Sequence, residues 1–191
     1  MYDLIRIGAG PGGDTAAIRA AQTGAKVCLI EEQKVGGVCL NRGCIPTKAL
    51  FEIAHHYQVL KESEKWGIKT SCETLNFKEI ASQKNGIVEK VVGSLEKLIL
   101  ANKISLKKGK GKIIGASSVS IDGETLKTKF IIIATGTIPA SLPSVPVDHK
   151  KILDSDDLAG GNHFPKSLLI VGGGIIGVEF ANIYASFGCQ V

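Results

Sequence analysis

Tyr2-Asp3-Leu4-Ile5-Arg6-Ile7-Gly8-Ala9-Gly10-Pro11-Gly12-Gly13 stands at the head of the chain, and its reading decides the fold. Tyr2 to Ile7 reads as a short apolar strand, and Gly8 to Gly13 spells G-x-G-x-x-G. An Ala-rich helix follows from Thr15, closed by Gly24, and then a second apolar strand, Val27-Cys28-Leu29-Ile30, which ends at Glu31 and Glu32. Strand, glycine loop, helix, strand and acid together predict a dinucleotide-binding βαβ unit. Gly8 permits the tight turn, Gly10 lets the backbone approach a pyrophosphate, and Gly13 lets the helix pack against the strand. The helix N-terminus offers N–H groups and positive potential to the phosphates. Glu31 accepts hydrogen bonds from ribose hydroxyls in this reading. The alternative is an ordinary, tightly packed βαβ unit.

A second copy of the pattern lies near the end. Leu168-Leu169-Ile170-Val171 reads as a strand, Gly172-Gly173-Gly174-Ile175-Ile176-Gly177 as another G-x-G-x-x-G, and Val178 to Gly188 as a glycine-closed helix. Gly172, Gly174 and Gly177 repeat the roles of Gly8, Gly10 and Gly13. Two such loops in one chain are far more specific than one. The sequence stops at Val191, where the next strand is expected, which suggests a piece of a longer enzyme.

Between the loops, Ala49 to Leu60 has helical periodicity, with Trp66-Gly67-Ile68 ending that unit. A long helix is expected from about Phe77 to Ala101, with Ile80, Ile87, Val91, Leu95 and Leu98 on its apolar face. Ile104 to Gly115 reads as a strand or two bent at Gly109 and Gly111. Ser118 to Lys127 reads as a hairpin turning at Asp122-Gly123. Phe130 to Ala134 suits a buried parallel strand, and Pro139, Pro143 and Pro146 mark a linker. The expected fold is α/β: a Rossmann-like dinucleotide-binding domain over residues 1–145, three-layered with a small β-meander. Residues 146–191 form the linker and the start of a second Rossmann-like domain.

Gly36-Gly37-Val38-Cys39-Leu40-Asn41-Arg42-Gly43-Cys44-Ile45-Pro46-Thr47-Lys48 carries the chemistry. Residues five apart on an ideal helix lie roughly 8.7 Å apart at Cα, whereas a disulfide needs less than about 7 Å. A Cys39–Cys44 disulfide therefore requires a deformed backbone. Gly43 makes deformation cheap, and the Pro46 ring would press on the Arg42 carbonyl in a regular helix. We read the pair as a redox-active disulfide, strained and easily reduced. A metal pair or two free thiols are the alternatives, with metal disfavoured because no second pair at ligand spacing exists. Two dinucleotide loops and a disulfide suggest an electron relay: nicotinamide to flavin to dithiol to a disulfide substrate. Lys48 places positive charge near the thiols or the flavin.

Bulk composition narrows the alternatives. Aromatic residues make up only 5% of the chain, which disfavours nucleic-acid binding by stacking. The lysines from Lys103 to Lys112 read as a solvated strand and turn. No long apolar run predicts a membrane span, and without a leader the five cysteines suggest a cytoplasmic protein rather than a secreted disulfide scaffold. Cys28 reads as core, Cys72 and Cys189 as isolated, and His55 and His56 as ordinary helix residues.

Taken together, the cysteine stretch and the two loops resemble the flavin disulfide reductase family, and Leu40, Ile45 and Thr47-Lys48 look most like its dihydrolipoamide dehydrogenase branch. The likeness spans essentially the whole chain, somewhat under half of a usual member. It implies FAD at Gly8, Gly10, Gly13, Glu31, Gly37, Lys48, Gly111 and the Ala134-Thr135-Gly136 turn, and NAD at the incomplete second loop. It implies Cys39 as the thiol facing substrate, Cys44 as the thiol facing the flavin, and a Lys48–Glu179 ion pair that ties the first domain to the second. The implied substrate is dihydrolipoamide or a lipoyl-bearing protein, the implied full-length assembly a homodimer, with no resident metal. A mercuric- or glutathione-type reductase, or a non-catalytic FAD-binding module, is the competing reading. Two departures stand out. Asp14 puts a carboxylate beside the expected pyrophosphate. The family's C-terminal His–Glu acid–base pair matches none of the four histidines, so turnover of lipoamide by this chain alone is not expected.

Overall fold

The computed structural model describes residues 1–71 and 74–191. Cys72 lies outside the described residues. Strand β1 (Tyr2–Ile7) sits between β2 (Val27–Glu31) and β6 (Glu124–Ile133), parallel to both, and β3 (Ser105–Lys108) pairs parallel with β2. Strands β4 (Lys112–Gly115) and β5 (Ser118–Ile121) join β6 as an antiparallel meander, giving the order β3-β2-β1-β6-β5-β4.

The alternation of strand side chains builds three layers. Leu4, Val27 and Leu29 point to one face and pack on Ala17 of helix α1 (Pro11–Gln22) and Ile99 of helix α4 (Phe77–Ala101). Ile5, Ile7, Cys28 and Ile30 point to the other and pack on Val119, Ile121 and Leu126 of the meander. Both faces of β1 and β2 are covered, so these strands are apolar almost throughout. Each such buried aliphatic side chain contributes about 1.5–3 kcal/mol relative to exposure.

The chain forms two compact units: residues 1–41 with 89–138, and 42–88 with 139–191. These units cut the chain differently from the motif-based division at residue 145, because residues 42–88 cluster with the C-terminal segment. The core of the second unit joins Leu50 and Ala54 of helix α3 (Cys44–Glu62), Ile80 of α4, Ala159 of helix α5 (Ser155–Gly160), and Phe180, Ile183 and Tyr184 of helix α6 (Ile175–Ser186). Phe77 stacks on Phe164 at 4.4 Å between centroids. Asp154 caps α5 with a reciprocal box to Asp157.

Four expectations need correction. First, α1 begins at Pro11 rather than Thr15, since proline suits the first helical position. Second, residues 124–133 form one continuous strand, and its apolar end is not buried: Phe130 is 69% exposed and Ile133 64%. Phe130 shares the face of its partner Leu4, but α1 and α4 cover β1 and β2, not β6. Third, residues 168–171 form no strand among the described residues; the nearest pairing is a single bridge, Ser167 to Gln190. A parallel strand needs a neighbour to satisfy its backbone. Fourth, on the expected apolar face of α4, Ile87 and Leu98 are exposed, while Ile80 and Ile99 carry the burial.

Candidate functional sites

The first site forms where the carboxyl ends of β1, β2, β3 and β6 meet. The sheet order reverses at β1, the switch point at which open α/β sheets bind ligands. Backbone bonds gather the loops there. Gly8 N donates to Ile30 O at 2.8 Å, Gly109 N to Glu31 O at 2.9 Å, and Ala134 N to Ile7 O at 2.8 Å. Gly8 has φ +99°, and a Cβ on it would run into the Ala134 carbonyl; a Cβ on Gly13 would run into the Gly8 carbonyl. Gly8 and Gly13 therefore make the tight turn and the close helix–strand packing expected of them. Gly10 caps α1 in extended conformation, its carbonyl accepting from Gly13 N at 2.6 Å and Asp14 N at 2.9 Å, and no side chain caps the helix.

Glu31 projects back at this loop. Its Oε2 accepts from Ala9 N at 2.7 Å and its Oε1 from Gln33 N at 2.8 Å. A carboxylate has about four acceptor directions, so both oxygens retain capacity for hydroxyl donors. Gly111 lies against Ile7 and Ile30, where a Cβ would come within 3.3 Å of each. Thr135 and Gly136 follow Ala134 in the turn after β6, with Gly136 at φ +70°.

Helix α2 (Gly37–Arg42) carries Cys39 and begins on this same loop. Gly36 N donates to Ala9 O at 2.7 Å. Gly37, at φ +55°, lies so close to Gly10 that an added Cβ would sit 2.8 Å from the Gly10 Cα. Asn41 ties the helix back, its Nδ2 donating to Val35 O and Gly37 O, each at 2.9 Å. A Cys39–Cys44 disulfide requires a deformed backbone between the cysteines. It is present: Gly43, at φ −137° and ψ −110°, separates α2 from α3. Cys44 is then the first residue of α3. Its side chain is exposed, and that of Cys39 half-buried. Pro46 falls in the first turn of α3 and so meets no clash.

In the second unit, Gly172 has φ +113°, Gly174 caps α6 in extended conformation, and a Cβ on Gly177 would run into the Gly172 carbonyl. This repeats the geometry of Gly8, Gly10 and Gly13. Lys48 on α3 and Glu179 on α6 form an ion pair. Both belong to the same compact unit, so the pair joins two helices of one unit.

Some residues were not singled out from sequence. Arg42 Nε lies 2.9 Å from Asp156 Oδ2, an ion pair rather than an aligned hydrogen bond. Burial raises the Asp156 pKa and Arg42 opposes the rise. Lys84 is 1% exposed, and its Nζ donates to the carbonyls of Ala159 at 3.0 Å and Gly161 at 2.7 Å, closing the C-terminal end of α5. Burial lowers its pKa. In sequence Lys84 falls on the Ile80–Ile87 stripe of α4. Arg6 is 3% exposed, a buried charge between Ile5 and Ile7 of β1. Cys28 is core as expected, its pKa raised by burial; His55 and His56 are exposed. No described helix is long and apolar enough to cross a membrane.

The sequence profile for pyridine nucleotide-disulphide oxidoreductases matches residues 2–191. A dihydrolipoyl dehydrogenase of Acholeplasma laidlawii is 43% identical over 195 residues, covering 100% of this chain and 58% of that protein. One from Geobacillus stearothermophilus is also 43% identical, over 99% of this chain and 41% of that protein. Among solved structures, the HOCl-induced flavoprotein disulfide reductase RclA from Escherichia coli matches with a TM-score of 0.82 at 30% identity, over 98% of this chain and 40% of that one. The chain spans about half the length of the curated relatives it matches.

Proposed function

Because this chain belongs to the pyridine nucleotide-disulphide oxidoreductase family, we propose that it carries the flavin-binding and redox-thiol functions of a dihydrolipoamide dehydrogenase. One observation carries the proposal: Gly37, the first residue of the helix that bears Cys39, lies in backbone contact with Gly10 of the phosphate loop. A dinucleotide seated on that loop has the thiol helix beginning at its phosphates.

In this reading FAD is held by Gly8, Gly10, Gly13, Gly37, Gly111 and the Ala134-Thr135-Gly136 turn, with Glu31 accepting from its ribose. The residues fit the group. The glycine cradle leaves no room for a Cβ at Gly8 or Gly13, and the N-terminus of α1, without a side-chain cap, suits a pyrophosphate. When bound, FAD supplies two-electron exchange between thiols and a pyridine nucleotide. Gly172, Gly174 and Gly177 hold NAD. The functional division is a flavin domain over 1–145 and a nicotinamide segment over 146–191.

Cys39 and Cys44 do the thiol chemistry. A thiolate of dihydrolipoamide attacks Cys39 of the disulfide, and the electron pair of the broken S–S bond goes to Cys44. The second substrate thiol then attacks the substrate sulfur of the mixed disulfide, releasing Cys39 and closing lipoamide. The substrate loses two electrons and two protons, and the protein pair becomes a dithiol. Lys48, held by Glu179, adds positive charge that favours reduction of the flavin. A lipoyl-bearing protein partner, a homodimeric assembly and a cytoplasmic location complete the proposal.

A visible spectrum tests the flavin assignment. The purified chain supplied with FAD is expected to absorb near ~450 nm, as a protein-held flavin does, after free cofactor is removed. A colourless protein refutes it.

A further inference from the structure

The Asp14 carboxylate poses a problem for any anion at the first loop. It stands in the first turn of α1, where the pyrophosphate of a dinucleotide would lie. The structure turns it inward: Asp14 is 6% exposed, and Oδ1 accepts from Thr15 Oγ1 at 3.0 Å. Beneath the same loop lies Arg6, 3% exposed, with Nε and Nη1 lacking any hydrogen-bond partner among the described residues. Its guanidinium lies under Gly12 and Gly13. A Cβ on Gly13 would sit 3.4 Å from Arg6 Nε, and one on Gly12 3.8 Å from Nη2. Burial lowers the Arg6 pKa, and the charge of Asp14 raises it. Among the described residues neither Arg6 nor Asp14 forms an ion pair within 4.0 Å, with each other or with a third group, so each feels the other's charge across the base of the loop. Each is costly to bury alone, and each offsets the other.

We propose that Arg6 is the internal counter-charge of Asp14, and that the pair acts as a positioning device for the phosphate loop. Arg6 balances a carboxylate that would otherwise repel the phosphates, and its unsatisfied N–H groups direct positive potential up through Gly12-Gly13. The inference rests on the reading that this loop takes FAD. Arg6 touches neither phosphate nor reacting atoms and is a positioning residue. The two charges form a unit, so losing Arg6 alone is worse for binding than losing both.

The test is a double-mutant cycle in the 191-residue chain, with Arg6→Met, Asp14→Asn and the double variant. FAD affinity is read by quenching of flavin fluorescence, and thermal unfolding is read without FAD. Arg6→Met is expected to weaken FAD about tenfold, the order expected of one unbalanced charge acting on a partly hydrated diphosphate. Adding Asp14→Asn returns the affinity to within about threefold of wild type, a coupling within the usual range for interacting residues. Asp14→Asn alone binds FAD at least as tightly as wild type, and this variant carries the test if Arg6→Met does not fold. A double variant as weak as Arg6→Met, or weakened binding by Asp14→Asn alone, overturns the pair. A wild-type chain that does not bind FAD overturns the flavin reading and the pair with it.

Discussion

Gly12 and Gly13 are adjacent, and the structure predicts opposite consequences for adding one methyl group to each. A Cβ on Gly13 meets backbone, the carbonyl of Gly8, with Arg6 Nε beside it at 3.4 Å. Neither β1 nor α1 yields without moving the loop. Overpacking of this kind costs about 1–3 kcal/mol, and in a chain of this size 1 kcal/mol shifts Tm by roughly 2–4 °C. Gly13→Ala is therefore expected to lower Tm by about 4–8 °C for a cost near 2 kcal/mol. Gly8 and the α1 N-terminus shift with it, so FAD affinity is expected to fall by at least about tenfold, the equivalent of 1.4 kcal/mol. A Cβ on Gly12 meets only the end of the Arg6 side chain at 3.8 Å, an ordinary contact at an exposed position. Gly12→Ala is expected to change Tm by less than about 2 °C and to keep its flavin. Both variants are read by thermal unfolding and FAD titration. Equal effects at the two positions, or wild-type FAD affinity in Gly13→Ala, would refute the cradle.

Further predictions follow from the second unit. Lys84→Met leaves the carbonyls of Ala159 and Gly161 unpaired and is expected to cost about 1–3 kcal/mol in a urea unfolding series. The folded pKa of Lys84 lies below 10.5, so the unfolded chain binds more protons between the two values. Its contribution therefore grows as pH rises from the folded value toward 10.5, and a wild-type-minus-variant difference without that slope contradicts the burial argument. Asp157 raises the His149 pKa above 6.5 through their 2.9 Å contact. The stabilisation is full below 6.5 and lost as pH rises through the raised value, so His149→Gln should remove a pH-dependent stability step that lies above pH 6.5; an NMR titration of His149 at or below 6.5 would count against the contact. Lys48→Met breaks an exposed pair and should change stability by less than about 1 kcal/mol. It should also make bound flavin harder to reduce, by about 30 mV for a tenfold change in equilibrium. An unchanged flavin potential would remove Lys48 from the redox site.

The parts legible in sequence were those written by local rules. The alternation of Leu4, Ile5 and Ile7 set both faces of β1, and the spacing of Gly8, Gly10 and Gly13 set the loop. The Asp122-Gly123 turn fell where the hairpin turns. The break between the cysteines followed from helix geometry alone, and it occurs at Gly43. Non-local pairing was not legible. Residues 168–171 have the composition of a strand, but a strand exists only with a neighbour, and here there is one bridge. Phe130 to Ile133 looked buried because apolar runs usually are, yet burial depends on which helices cover the sheet. Arg6 and Lys84 were passed over because a lone charge in an apolar pattern reads as noise until its buried partner or acceptors appear in space.

The central claim is that Cys39 and Cys44 exchange an electron pair with flavin bound at the first loop. An anaerobic reductive titration of the FAD-loaded chain, followed by flavin absorbance and free-thiol count, tests it most directly. Wild type is expected to take up twice as many electrons per flavin as Cys44→Ser before the flavin is fully bleached, with two new thiols appearing. Equal uptake by the two proteins, with no thiols gained by wild type, would contradict the account.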